Sequence, residues 1–223
     1  MPQIPELFVT LDGYIDGLFA PEDPALTAAL ADADAAGLPD IQVSPGQGKF
    51  LYLLAKLAGA RRILEIGTLG GYSTIWLARA LPEGGRMVTL ELERRHADVA
   101  AANVERAGLA DKVEIIVGPA IETLPALAAR SQVPFDLIFL DADKVNYPAY
   151  FREIMKMVRP GALVLADNVI RAGTVLNPQP HDPSAGAARD FNAMIAADPR
   201  LESIVLQQVG VKGHDGLAIS RVK

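Results

Sequence analysis

Apolar and polar positions along the chain follow two repeating patterns, one typical of buried strands and one typical of helices. Short, mostly apolar runs occur at 61–66, 86–92, 112–117, 135–141 and 161–167 (RRILEI, RMVTLEL, KVEIIV, FDLIFLD and GALVLAD). Between these runs, apolar residues recur at intervals of three and four, as they do from Arg94 to Ala107, which is helical spacing. Five strands that alternate with helices predict a doubly wound, mostly parallel α/β sheet.

Both ends of the chain depart from this alternation. Residues 5–36 predict one or two helices, interrupted near FAPEDP, and IQVSPGQG then predicts a loop before a helix that starts at Lys49. Beyond the fifth strand, a proline-rich loop at 171–186 leads to a helix near 185–197, and 201–222 predict a β-hairpin. We expect a single domain, with an N-terminal helical extension at 1–42 and a core at 43–223.

Composition narrows the class of protein. The chain has 223 residues, of which 50% are apolar, no cysteine, and a net charge of −6. Without cysteine there are no disulfides, thiolate metal sites or cysteine nucleophiles, and the acidic balance argues against nucleic acid as the main partner. The N-terminal residues do not have the pattern of a secretory signal, and no apolar run is long enough to cross a bilayer. We therefore expect a cytoplasmic protein.

A glycine-rich loop, in LEIGTLGGYS, follows the first predicted strand and opens a helix. Glycines let the backbone approach a ligand, and a helix N-terminus favours a polar or negative group. The dinucleotide fingerprint would need glycine at 67, 69 and 72, but the chain has Leu69 and Tyr72, so that motif fails, as does the P-loop. A tight turn without any ligand remains an alternative for the loop considered alone.

Two glutamates at successive strand ends favour a ligand at this loop. Glu65 lies two residues before Gly67, where a carboxylate would repel a pyrophosphate and attract an ammonium group. Glu91 ends the next strand about 20 residues past the glycines, the usual offset of an acid that binds ribose hydroxyls. S-adenosylmethionine, an adenosyl compound with a cationic amino-acid tail, suits both acids.

Oxygen ligands and a lysine follow the fourth and fifth strands. Asp141 ends the fourth strand, and Asp167 and Asn168 end the fifth. Because parallel strands end at one edge of a sheet, these groups form a partial oxygen cage that suits Mg²⁺, Mn²⁺ or Ca²⁺ better than zinc. Lys144 is a candidate general base, provided that burial and a nearby cation lower its pKa. Taken singly, Asp167 and Asn168 are better explained as loop caps and Lys144 as a surface charge. Taken together with the glycine loop on the same edge of the sheet, they favour a site.

Three segments together resemble a known family. ILEIGTLGGYSTIWLARALPEGG, DLIFLDADKVNYPAYF and RPGALVLADNV resemble the cation-dependent class I O-methyltransferases, the group of catechol and caffeoyl-CoA O-methyltransferases, and above all their bacterial small-molecule members. The resemblance runs from about Val43 to the C-terminus. It implies a seven-stranded sheet with an antiparallel last strand, an aromatic vicinal-diol acceptor, and a homodimer to which the N-terminal helices contribute.

The resemblance also implies roles for individual residues. Glu65 would hold the amino group of S-adenosylmethionine and Glu91 its ribose. Asp141, Asp167 and Asn168 would bind the divalent cation, most simply Mg²⁺, and Lys144 and Asp141 would act in catalysis. The full set expected at S-adenosylmethionine is Val43, Glu65, Gly67, Thr68, Gly71, Tyr72, Ser73, Glu91, Ala120 and Asp141.

The chain departs from the family pattern at two positions of interest. Pro119 stands where relatives usually carry Asp or Ser, which alters the expected adenine contact. Arg171 stands where relatives often carry an aromatic residue, so we expect an altered, anion-tolerant acceptor pocket. Outside these motifs, His96 follows two arginines in a helix and is expected on its solvated face. An RNA methyltransferase on the same scaffold is the main alternative, although the acidic charge disfavours it.

Overall fold

The computed structural model describes residues 6–129 and 134–223. Within them, one sheet contains strands β1 (Arg62–Ile66), β2 (Arg86–Glu91), β3 (Val113–Val117), β4 (Phe135–Leu140), β5 (Val158–Ala166), β6 (Leu201–Gly210) and β7 (Gly213–Val222). The helices are α1 (Glu6–Phe19), α2 (Pro24–Ala35), α3 (Pro45–Leu57), α4 (Tyr72–Ala80), α5 (Arg94–Arg106), α6 (Ala120–Ala128), α7 (Tyr147–Ile154) and α8 (Pro183–Ala197).

The sheet has the doubly wound order β3-β2-β1-β4-β5-β7-β6. Strands β1 to β5 pair in parallel, whereas β7 runs antiparallel to both β5 and β6. The predicted α/β fold, with a seven-stranded sheet and an antiparallel last strand, is therefore confirmed. The strand order reverses between β1 and β4, which is where open α/β sheets bind their ligands.

Apolar side chains pack on both faces of the sheet. One cluster lies between the sheet and α6, α7 and α8, and the other between the sheet and α3 and α4. Strand β4 is buried along its whole length, including Asp136. That carboxylate accepts the backbone N–H groups of Arg61 and Arg62 at 2.8 and 2.9 Å and pairs with Arg159, so the one polar group of the strand is satisfied.

Two helix boundaries differ from the prediction. Helix α3 begins at Pro45, inside the predicted loop, because Ser44 caps it by accepting from the Gln47 N–H at 3.2 Å and proline suits a first helical position. The run YPAYFREIMKMV predicts a helix over 147–158, but α7 ends at Ile154 because Val158 already pairs with Phe135 in the sheet. The start of the first predicted helix at residue 5 and the end of the helix predicted by AIETLPALAAR at residue 130 lie outside the described residues.

The two N-terminal helices behave differently. Helix α2 packs on α4 and α5, with Leu26 and Ala29 buried. Helix α1 lies against α3 and β6, yet it buries none of its side chains. Among the described residues, no helix combines the length and apolar character needed to cross a membrane.

Candidate active site

The register of the strands brings the predicted site residues to one edge of the sheet. Ile66 pairs with both Leu90 and Leu140, and Leu140 pairs with Ala166. The residues that follow these four in the chain are Gly67, Glu91, Asp141 and Asp167. The predicted cofactor and metal residues therefore emerge from the sheet in one row.

A cavity of 720 Å³ lies along this edge. The turns after β1 to β5 contribute to its wall, and since neighbouring strands are about 4.8 Å apart, the four steps from β3 to β5 span about 19 Å. Ten of the predicted site residues line it: Val43, Gly67, Thr68, Tyr72, Ser73, Glu91, Ala120, Asp141, Lys144 and Asn168. Three others, Glu65, Gly71 and Asp167, do not line it.

The N-terminal extension forms part of the same cavity. Ala29, Leu30 and Ala33 of α2 line its wall, together with residues of the segment that leads to α3. The Tyr72 hydroxyl donates to Glu22 at 2.6 Å, which ties the start of α4 to the segment before α2. The cavity is therefore lined by residues on both sides of the expected boundary at residue 42 between the N-terminal extension and the core.

The glycine loop is held by the geometry of the sheet. Gly67 has φ +99°, and a Cβ atom there would lie 1.9 Å from the carbonyl oxygen of Asp141, so only glycine fits. The N–H groups of Thr68 and Leu69 both donate to Oε2 of Glu91, at 3.1 and 2.7 Å. Glu91 therefore fixes the loop from the neighbouring strand while it also lines the cavity.

Gly71 has a packing role in the structure. Its φ is +84°, and a Cβ atom would lie 3.3 Å from the backbone of Ala100 on α5. It forms the left-handed residue at which α4 begins. The structure thus places Gly71 behind the loop, against α5, and not in the wall that a ligand would touch.

Glu65 lies beneath the glycine loop and is held by hydroxyl groups. Its side chain is fully buried beneath the glycine loop, and its two oxygens accept hydroxyl protons from Ser73, Thr74 and Thr89 at 2.7, 2.5 and 2.7 Å. Burial raises the pKa of Glu65 to about 7, although the three hydroxyls oppose the shift. In this structure Glu65 is linked to the cavity through Ser73, which lines it, and its contact with an ammonium group stays a prediction.

Lys144 and Asp141 form a buried ion pair at the end of β4. Nζ of Lys144 lies 2.9 Å from Oδ1 of Asp141 and 2.7 Å from the hydroxyl of Tyr147. Burial alone would lower the pKa of Lys144, but the interactions with Tyr147 and Asp141 outweigh it, and the pKa is raised. Without a bound cation, Tyr147 and Asp141 therefore stabilise the protonated amine, and the lowered pKa that was expected beside a cation stays a prediction.

Asp167 and Asn168 follow β5, beside this pair. Asp167 is buried, and its pKa is raised to about 7, first by burial and then by the charge of Asp141. The Asn168 N–H donates to the carboxylate of Asp167 at 2.8 Å. The backbone of Asn168 has φ +53°, a left-handed conformation that is strained for residues other than glycine. Asp141 and Asp167 thus place two carboxylates beside one cation, Lys144, and the site is short of positive charge.

This donor set fits a hard divalent cation. Carboxylate and amide oxygens are the ligands that Mg²⁺ and Ca²⁺ prefer, and open positions would remain for other oxygens. In residues 6–129 and 134–223, no three side chains of His, Cys, Asp and Glu gather as metal ligands. A site here therefore depends on Asn168 as its third protein ligand.

His96 lies in the wall of the cavity, although the sequence pattern predicts it on a solvated helix face. Its ring lines the cavity, and Nδ1 lies 3.5 Å from Oε1 of Glu91. The expectation of a solvated helix face is wrong, because α5 starts beside the end of β2 and turns this position inward. The only available signal was its place five residues after Glu91, at the start of the following helix.

A doubly wound sheet with a glycine loop at its switch point, acids at the ends of β1 and β2, and a cavity across the strand ends defines a class I S-adenosylmethionine-dependent methyltransferase. The sequence profile of the O-methyltransferase family matches residues 21–222. The chain belongs to this family and is an S-adenosylmethionine-dependent O-methyltransferase.

Two catechol O-methyltransferases and one solved O-methyltransferase match almost the whole chain. A catechol O-methyltransferase of Niastella koreensis is 51% identical over 218 residues, which cover 98% of this chain and 99% of the relative. A catechol O-methyltransferase of Mycobacterium tuberculosis is 52% identical over 213 residues, which cover 96% and 95%. An O-methyltransferase of Bacillus cereus, solved in complex with S-adenosylhomocysteine, superimposes with a TM-score of 0.95 at 49% identity, covering 98% of this chain and 99% of that one.

Proposed function

We propose that this enzyme methylates one hydroxyl of a small aromatic vicinal diol, and that it requires a divalent cation. The observation that carries the proposal is the presence of Asp141, Lys144 and Asn168 in the wall of one cavity with the glycine loop. The names of the catechol O-methyltransferases from Niastella koreensis and Mycobacterium tuberculosis support the choice of acceptor.

The methyl donor would lie along the strand ends. Ala120 and Pro119 follow β3 and would flank the adenine, while Glu91, at the end of β2, would accept from the ribose hydroxyls. Val43, Gly67 and Ser73 would contact the methionine part, with Thr68 and Tyr72 as further wall residues. Glu65 would act by orienting Ser73, whose hydroxyl it accepts at 2.7 Å.

The acceptor would lie beyond the methionine part, towards β5. S-adenosylmethionine supplies the electrophilic methyl group, and a divalent cation held by Asp141, Asp167 and Asn168 supplies positive charge to the paired acceptor oxygens. The protein's own contribution is to fix these groups in one row, which favours reaction through proximity and alignment.

Lys144 would accept the proton of the reacting hydroxyl. Its Nζ is buried in the cavity wall, within reach of Asp141. It must first lose its own proton, and weakening its interaction with Asp141 would lower its pKa towards the value that a general base needs. Tyr147 would keep the amine in place through its hydroxyl, which also donates to the carbonyl of Leu140 at 3.0 Å.

We also propose that two copies of the chain form a homodimer through α1. Leu7, Tyr14, Leu18 and Phe19 are between 57% and 66% exposed along this one helix, although they are large and apolar. A contiguous apolar surface of this kind is typical of an interaction site. A second copy of the chain would cover it.

The test of the function is release of S-adenosylhomocysteine from S-adenosylmethionine and caffeic acid, with Mg²⁺ and then with excess chelator. We expect turnover that chelation abolishes and Mg²⁺ restores. Binding of Mn²⁺, followed by electron paramagnetic resonance, gives a readout that does not depend on activity: Asp141→Asn should abolish it, whereas Asp111→Asn at an exposed position should not. Turnover that persists in chelator would refute the metal requirement, and turnover of tRNA alone would refute the acceptor.

A further inference from the structure

The acceptor end of the cavity contains a cation that the proposed reaction does not use. Arg171 lines the cavity just after β5. Its Nε atom is buried and has no hydrogen-bond partner. Among the described residues the guanidinium also forms no ion pair, unlike Lys144, which is paired with Asp141 at 2.9 Å. An N–H donor that is withdrawn from water without a partner is unfavourable, so the buried Nε of Arg171 indicates a missing acceptor.

The protein holds Arg171 in a strained backbone conformation. Arg171 and Ala172 both have φ +52°, and Gly173 follows at +83°. One carboxylate oxygen of Asp215, at the start of β7, accepts the N–H groups of Ile170 and Arg171 at 3.0 and 2.9 Å. Such strain persists only where the surroundings enforce it, and it is concentrated at binding sites. Asp215 is therefore a positioning residue for Arg171.

The charges around the cavity single out Arg171 as the partner for an anion. Carboxylates line the other parts of the wall, at Glu91, Glu93, Asp141 and Asp143. Of the Lys and Arg side chains in the described part of the wall, Lys144 is neutralised by Asp141 and only Arg171 has no acidic partner. A negatively charged acceptor would be repelled elsewhere in the cavity and attracted at Arg171.

We propose that the acceptor is a vicinal diol that carries a carboxylate, on the ring or on a short side chain, and that Arg171 binds this carboxylate. A guanidinium can donate two parallel hydrogen bonds to a carboxylate, which fixes orientation as well as affinity. The carboxylate would lie at the β5 end and the diol beside Asp141 and Lys144. The inference rests on the function proposed above and adds the class of acceptor to it.

The test compares matched acceptors that differ only in charge. 3,4-Dihydroxybenzoic acid and its methyl ester are assayed with the wild type, Arg171→Gln and Arg171→Lys. We expect the wild type to prefer the acid, and Arg171→Gln to reduce the acid-to-ester ratio of kcat/KM about tenfold or more, because a charge-assisted pair is lost. Arg171→Lys should retain part of the preference. Arg152→Gln, which removes an exposed arginine from α7, is the matched control and should leave the ratio unchanged.

Substitutions of Asp215 provide a second, independent test of the inference. Asp215→Ala removes the acceptor of the Ile170 and Arg171 N–H groups and should reduce the acid-to-ester ratio of kcat/KM. Asp215→Asn keeps a side-chain oxygen at this position and should largely restore the ratio.

An acid-to-ester ratio that is the same in the wild type and Arg171→Gln overturns the inference while the function stands. Loss of caffeoyl-CoA turnover in Arg171→Gln with that ratio unchanged would assign Arg171 to a phosphate and also overturn it. Failure of every vicinal diol, with S-adenosylhomocysteine still bound, would instead refute the proposed function.

Discussion

Replacing Glu65 by glutamine should change the pH dependence of stability in a way that can be calculated from the structure. Glu65 is fully buried, and its oxygens accept three hydroxyl hydrogen bonds, from Ser73, Thr74 and Thr89. An amide of the same shape can keep all three, because its oxygen accepts and its NH₂ group donates to a hydroxyl that has rotated. The substitution therefore removes the ionisable group with little change in packing.

The size of the effect follows from the pKa of Glu65, which rises from 4.5 to about 7 in the folded protein. Between these values the folded state binds a proton that the unfolded state has lost, so the contribution of Glu65 to stability is present at low pH and is lost as the pH rises through 7. Between pH 5.0 and 8.5 this loss amounts to about 2.5 kcal/mol. Glu65→Gln should not show it.

The measurement is urea unfolding of the wild type and Glu65→Gln without ligands, at several pH values in this range. The difference in unfolding free energy between the two proteins should shift by about 2.5 kcal/mol in favour of the variant as the pH rises. Asp167, with its pKa also raised to about 7, is present in both proteins, so its effect is largely removed by the subtraction. Glu83→Gln, at an exposed position, is the control. A difference that does not vary with pH would refute the argument from burial.

Two further predictions follow from the same geometry. Lys144→Met should lower kcat about a hundredfold or more, while the affinity for S-adenosylhomocysteine, measured by calorimetry, stays nearly unchanged. The control Lys56→Met, at an exposed position, should change neither quantity. An unimpaired kcat in Lys144→Met would rule out Lys144 as the base. Leu18→Asp should convert a dimer into a monomer in light scattering, whereas Leu176→Asp, at an 89% exposed position outside α1, should not; an unchanged dimer would place the interface elsewhere.

The fold could be predicted from the sequence because each strand carries its own signal. β4 is buried on both faces and therefore appears as an uninterrupted apolar run apart from Asp136, and the same holds for most of β1 and β2. The ends of the helices were harder to predict from the sequence. The capping residues Ser44 and Pro45 have the composition of a loop, and only the hydrogen bond to Gln47 shows that α3 has begun.

The candidate site could be predicted as a set but not in its contacts. Residue order alone places Gly67, Glu91 and Asp141 at strand ends, since parallel strands share an edge. The environment of Glu65, by contrast, depends on hydroxyls that come from the next helix and from β2, and Thr89 is 24 residues away. Asp215, 44 residues beyond Arg171, was missed because nothing local connects the hairpin to the loop that it holds.

The electrostatics of the site explain why its ligands should be cationic. Asp167 and Glu65 each have a pKa raised to about 7, and in both cases the charge of Asp141 adds to the effect of burial. Lys144 offsets only part of this negative charge, so the protein alone holds protons that a cation can displace. A sulfonium, an ammonium group and a divalent metal each supply the missing positive charge, and each would lower these pKa values on binding. The burial of these carboxylates, which destabilises the protein above pH 7, therefore favours the sulfonium donor and the divalent cation of the proposed reaction.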